Sequence, residues 1–266
     1  MTRLVFAFAL YSSIAIPRVA TAQASGGDVA ILFPVRAGVC GDGANVLYAD
    51  RKRYTWPSTE LTGDFRQPKC IDGPAMLVVS RSAARLTVGG ASSTPHERME
   101  GRAARNYFLT LARTLLGATA AQAVAAACIT DAPPSIDQLA ELARDSRITS
   151  EARSAALGWI PQLYRTSAPT VLTRFVHDTT LPWPLRERAL QGVWESGENG
   201  TPILLALATS QQPERLRART LQWLGQTRGD SAAAVLRTIA LDRAESVELR
   251  SVASRVLGER SKKGHE

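Results

Sequence analysis

Three cysteines, three histidines and a few acidic residues between glycines are the side chains here with the types needed for chemistry. Cys40 stands in GVCGDG, Cys70 in QPKCIDGP and Cys128 in AVAAACIT. The first two settings are polar, flanked by glycine and loop-like. The third is an apolar helical run, in which a free thiol behaves as a small hydrophobe. In an oxidising compartment the expectation is a Cys40–Cys70 disulfide. Asp42 of CGDG could hold a cation or shape an anion-binding turn, but one Asp does not make a calcium loop. A tight turn whose glycines permit positive φ is the preferred reading. Asp42, Asp64 and Asp72 could together serve a hydrolase, provided that they converge in one cleft. His96, His177 and His265 share no metal-ligand spacing. No HExxH, GxSxG or Walker loop occurs. VGGASS is too short and glycine-poor to cradle a nucleotide. The expectation is no catalytic residue, no metal and no cofactor.

Arginines recur at a regular interval. ARSAALGWI (152–160), LRERALQGV (185–193), LRARTLQWL (216–224) and LRSVASRVL (249–257) align without gaps, at offsets of 33, 31 and 33 residues. Their apolar columns read Ala152, Leu185, Leu216, Leu249, then Ala156, Ala189, Thr220, Ala253, then Ile160, Val193, Leu224, Leu257. That spacing is one helix face. A second aligned set precedes them: LAELARD (139–145), LTRFVHD (172–178), LLALATS (204–210) and LRTIALD (236–242). Its columns run Leu139, Leu172, Leu204, Leu236, then Leu142, Phe175, Leu207, Ile239, then Ala143, Val176, Ala208, Ala240. Each unit is therefore helix, turn, helix, and must stack on its neighbours to bury its apolar faces.

Arg153, Arg186, Arg217 and Arg250 share one register near the start of each second helix. Their guanidinium groups are expected to bond the last carbonyls of the preceding helix or the acid at its end, while the stems cover apolar neighbours. Asp145, Asp178 and Asp242 are those acids, and Ser210 replaces the acid in the third unit. The competing reading is an anion-binding stripe of four arginines. Trp159, Trp194 and Trp223 are expected to pack in the core or at its rim, and His177 to lie on the surface or between helices.

The LR-x-x-A-L pattern with its Asp and Arg resembles HEAT-type helical repeats over 136–260. The resemblance implies a HEAT-like α-solenoid of helical hairpins, in a chain that is mainly α. Residues 94–135 then form a degenerate helical pair that caps the stack. STPHE is the expected cap of its first helix, and Tyr107, Leu111, Thr114 and Leu115 one of its faces. The polar end at 261–266 is expected to fray. Residues 25–93 differ. VAILFPV (29–35), NVLYA (45–49), AMLVVS (75–80) and ARLTVGG (84–90) read as strands of a small disulfide-stapled antiparallel β module, with Trp56 in a Gly/Asp/Pro-rich stretch between them. With GVCGDG, the later cysteine and the VGG exit, the chain resembles a family of exported bacterial HEAT-repeat proteins, a resemblance that implies no activity.

Residues 1–24 carry a basic start (MTR), an apolar run (LVFAFALYSSIAI) and small residues suited to cleavage after Ala22 or Ala24, the pattern of a secretory signal peptide. The run is short of the ~20 residues that span a bilayer; an uncleaved anchor is the alternative. The localisation expected is periplasmic or secreted, with no stable membrane insertion. The chain has 266 residues, 45% hydrophobic content and a net charge of +8, which falls to +6 without Arg3 and Arg18. Its arginines are interspersed with acids, and export separates it from most nucleic acid, so none is expected as a partner. The functional expectation is a non-enzymatic interaction scaffold for a protein or peptide, acidic by charge complementarity. Behind it stand a binder of envelope polysaccharide or another anionic surface and, third, the hydrolase of the N-terminal module.

Overall fold

A computed structural model describes residues 28–43, 46–49, 52–55, 70–80, 83–89 and 97–263. The leader expected at 1–24, Trp56, Asp64, residues 93–96 of the STPHE cap, His96 and His265 lie outside the described residues.

Strands come first. β1 (Val29–Phe33), β5 (Ala75–Val79) and β6 (Ala84–Val88) alternate, so that Ile31, Phe33, Ala75, Leu77, Leu86 and Val88 are buried on one face. The strand order is β6-β5-β1-β7, where β7 is Glu97–Arg98. All neighbours are antiparallel except β7, which lies parallel to β1. β2 (Val39–Gly41), β3 (Val46–Ala49) and β4 (Lys52–Thr55) form a second antiparallel sheet that packs against β6. Cys40 is on β2, not in a loop, and is bonded to Cys70 with Cα atoms 5.5 Å apart. The local reason is a two-way backbone bridge beside the sulfurs: Gly41 N–H donates to Ile71 O (3.1 Å) and Ile71 N–H to Gly41 O (2.8 Å).

Helices follow. α1 (Gly101–Thr114) begins at Gly101, not within STPHE. Glu97 and Arg98 pair with Ile31 and Leu32, and Met99 N–H donates to Leu32 O (3.0 Å), so this backbone belongs to the sheet edge. Glu100 at the N-cap makes no side-chain cap. The buried face of α1 is Ala104, Phe108, Leu111 and Ala112, whereas Thr114 is exposed. Gly101 tolerates a close neighbour, since a Cβ there would overlap the Asp131 carboxylate. α2 (Gly117–Ile129) is rich in Ala and is buried over its last two turns.

The remaining helices are α3 (Ile136–Arg144), α4 (Ser150–Leu163), α5 (Ala168–His177), α6 (Trp183–Glu195), α7 (Thr201–Thr209), α8 (Glu214–Gln226), α9 (Asp230–Leu241) and α10 (Val247–Lys263). Starts are marked by short polar caps or by proline. Ser135 and Gln138 close a reciprocal box on α3, and Thr149 accepts from Ala152 N–H on α4. α5, α6 and α7 carry Pro in the first turn, where the missing N–H costs nothing. α10 continues to Lys263 through the polar segment expected to fray.

Helices pair as α1/α2, α3/α4, α5/α6, α7/α8 and α9/α10, and the second members also pack in series: α2 on α4, α4 on α6, α8 on α10. Contact between α6 and α8 is narrower. There the Trp194 and Trp223 rings stack at 4.8 Å and Arg219 pairs with Glu187 at 2.6 Å. The apolar columns read from the sequence are buried throughout, except that Ala240 and Leu257 of the last unit are half-buried.

Strands and helices share one core. Phe33 meets Phe108 edge-on at 4.7 Å. Leu86 N–H donates to Gln122 Oε1 (3.1 Å), which settles the one buried amide of α2. Arg36 N–H and Nε donate to Ile129 O (3.0 Å) and Cys128 O (3.2 Å), closing the end of α2. The Cys40–Cys70 bond closes a loop with a sequence separation of 30. Replacing both cysteines by serine is expected to cost about 3–4 kcal/mol by loop entropy, measured as the change in urea unfolding free energy; a loss below ~1 kcal/mol would contradict the staple.

Candidate functional site

The repeat arginines sit where a first helix ends and a second begins. Arg153 Nε donates to Ala143 O, Arg186 Nε to Val176 O and Arg217 Nε to Ala208 O, each at 2.9 Å. The last carbonyls of a helix have no partner within it and carry the negative end of its dipole, so a guanidinium answers both needs. The acids at these ends do not pair with the repeat arginines. Asp145 takes Arg147 (N–H at 3.1 Å, Nε at 2.8 Å), Asp178 takes Thr180, and Asp242 takes Ala244 N–H (2.8 Å). A short carboxylate reaches the backbone two residues on more easily than a side chain eight residues away, so the acids shape the turns. Arg217 reaches further than the others, its terminal nitrogens gripping Glu245 of the next unit; that carboxylate pushes the Arg217 pKa up. Arg250 Nε is buried without a hydrogen-bond partner.

A groove of about 1000 Å³ opens along α4 and α6, with a wall from Ala121 of α2. Ala155, Trp159, Pro182, Pro184 and Leu185 supply its apolar surface. Its polar floor is a hub on Glu195, whose side chain is 10% exposed. Glu195 accepts from Arg188 Nη1 (3.3 Å), Gln191 Nε2 (3.0 Å) and Gln162 Nε2 (2.9 Å), so the buried charge is paired and hydrogen-bonded. The Gln162 bond crosses from α4 to α6. Gly158 makes room for the arginine, since a Cβ there would run into the Arg188 guanidinium. Ser150 and Ser154 line the groove, but no His or Cys does. The arrangement offers apolar contact, amide groups and a fixed ion pair. Sequence reading missed all four hub residues. The signal available was a polar column, Gln162, Glu195, Gln226 and Glu259, in one register of the four second helices.

Other sequence candidates lie outside this groove. Asp42 and Asp72 follow the bridged residues Gly41 and Ile71; Asp72 lines a separate hollow of about 510 Å³ with Pro34, Arg36 and Pro74. Among the described residues no three His, Cys, Asp or Glu come together as a metal-binding group. His177 is exposed. Trp159 and Trp223 are buried, and Trp194 packs on Trp223. Cys128 is fully buried in α2, and desolvation pushes its thiol far above the usual range. Tyr107 is pushed up to about 12, first by burial and then by Glu97. Among the described residues no helix is long and apolar enough to cross a membrane. No protein-family model, curated protein or solved structure matches the chain.

Two outcomes follow from this geometry. Arg153→Ala leaves Ala143 O unsatisfied and is expected to cost about 2–3 kcal/mol, whereas Arg250→Ala, which breaks no Nε bond, is expected to cost under ~1 kcal/mol. Guanidinium unfolding of both variants checks the difference, and equal losses would contradict it. The hydrogen bond from Arg147 holds the Asp145 carboxyl down to about 2, and that from the Thr180 hydroxyl holds Asp178 below its usual value. A depressed carboxyl adds stability above the unfolded value near ~4 and loses it as pH falls toward about 2. The thermal midpoint of Asp145→Asn is therefore expected to fall less between those pH values than that of the wild type. Parallel curves would show that Asp145 contributes nothing.

Proposed function

We propose that the chain is an exported, non-enzymatic interaction scaffold: a HEAT-like α-solenoid that holds a protein or peptide partner on its row of second helices. The observation that carries this reading is the groove along α4 and α6, with apolar walls and a satisfied polar hub beneath them. Stacked hairpins present such a surface as a consequence of their architecture, because every second helix turns one face to its partner and another outward. The Cys40–Cys70 disulfide supports export, since such bonds persist in oxidising compartments. The positive net charge, +6 without Arg3 and Arg18, and exposed arginines such as Arg174, Arg237 and Arg255 favour a partner of acidic character.

The test is direct panning of the purified chain against displayed peptides and small folded domains, with a groove-filling variant as the control. Ser154→Trp places a large ring in the groove from a half-buried position. A bound partner whose affinity drops by at least about tenfold on that substitution, at unchanged thermal midpoint, is the expected result. Failure to enrich any binder, or binders indifferent to Ser154→Trp, would remove the groove as the docking site.

A further inference from the structure

Two parallel rows of polar side chains cross the second helices on the side away from their hairpin partners. One row is Gln162, Glu195, Gln226 and Glu259; the other, one turn earlier, is Gln191, Gln222 and Arg255, with Gly158 in the same register on α4. They line both the groove at α4/α6 and a second hollow of about 390 Å³ at α8/α10. Resting on the scaffold reading above, we infer that these rows bind an extended acidic peptide segment, laid across α4, α6, α8 and α10 with its acidic end at α10.

The amides are half used. Gln162 and Gln191 each donate Nε2 to Glu195, and their Oε1 atoms accept nothing among the described residues. Gln222 accepts from Arg219 through Oε1 and donates to nothing described, while Gln226 is exposed and bonds to no described residue. A side-chain amide carries the same donor and acceptor as a peptide group. Gln162 and Gln191 therefore offer acceptors to backbone N–H groups at one end of the row. Gln222 and Gln226 offer donors to backbone carbonyls at the other. Helices pack at roughly 8–10 Å, so α4 to α10 spans roughly 25–30 Å. An extended chain rises ~3.3 Å per residue, which makes the occupant about eight or nine residues long. A helical occupant hides its backbone groups inside itself and leaves these amides unmatched.

Charge sets the direction. At α4/α6, Arg188 is neutralised by Glu195. At α8/α10, the hollow is bordered by Arg219, Arg255 and Arg260 against Glu259 alone. Arg219 is paired with Glu187, and Arg260 is held by the carbonyls at the end of α8. Arg255 remains the adaptable cation, because its contact with Glu259 is long (3.4 Å) and exposed. A carboxylate on the bound segment competes for it on favourable ground.

The test pans the full chain against linear displayed peptides of about ten residues and, in parallel, against peptides locked as helices. The expected result is enrichment of linear peptides with Asp or Glu toward one end. Gln162→Ala with Gln226→Ala is expected to weaken a selected peptide by about tenfold or more. Arg255→Glu is expected to weaken it too, and to abolish the effect of neutralising the peptide's acid. Gln226 and Arg255 are exposed, so Gln226→Ala and Arg255→Glu carry the test even if the double variant folds poorly. Linear peptides that bind these variants unchanged, or enrichment of helical peptides alone, overturn the inference and leave the scaffold reading standing. Enrichment of nothing from either library overturns both.

Discussion

The carbonyls at the end of a helix are the constraint around which three of the four repeat units are organised. They point onward with no partner of their own, close to the turn where the chain must reverse. A guanidinium from the start of the returning helix meets them at 2.9 Å in three successive units. Because that bond is made from the second helix back to the first, it sets the offset between the two. With this offset the apolar columns of each of these hairpins face each other, and the next hairpin adds to the same seam. The acids nearby act on a shorter range. Asp145, Asp178 and Asp242 tie down the turn that brings the arginine into reach.

From this joint the rest of the helical array follows by close packing. Small residues in the middle column, Ala156, Ala189, Thr220 and Ala253, let the helices approach. Thr220 obtains its partner within the helix, donating to Leu216 O at 2.8 Å, so even the polar member costs no orphaned hydroxyl. The strand module is joined to this array at the end of α2, where Arg36 N–H donates to Ile129 O and Pro34 O accepts from Asp131 N–H, as well as by apolar contact. Its short sheets gain a core by covering α1 and α2, and the disulfide holds the part that covers least.

What the sequence made legible, and what it hid, divides along physical lines. The six apolar columns were readable because burial repeats at a fixed period. The Cys40–Cys70 pairing was readable because Cys128 belongs to a run with no polar residue. β2 was not, since Val39, Cys40 and Gly41 form a strand only through the bridge to Ile71 and pairing with β3. β7 was hidden for a similar reason: two residues with no strand pattern are recruited by the free edge of β1. The start of α1 was misplaced because Glu97 and Arg98 pair with that edge and the helix begins only at Gly101. The Glu195 hub was invisible as a site, because single Gln, Arg and Glu residues on a helix look like any solvated face. Their convergence depends on α4 and α6 lying side by side, which no local pattern encodes.

Arg260 of α10 donates to Leu224 O (3.0 Å), Thr227 O and Gly229 O (3.2 Å), sealing the end of α8 from another hairpin. Glu245 and Ser246 likewise clasp Arg217 and Glu214 at the beginning of α8. Both ends of that helix are thus finished by residues made later on the ribosome. During synthesis α8 stays incomplete until the chain through Arg260 has emerged, so this part of the array matures as a pair of hairpins and not one hairpin at a time.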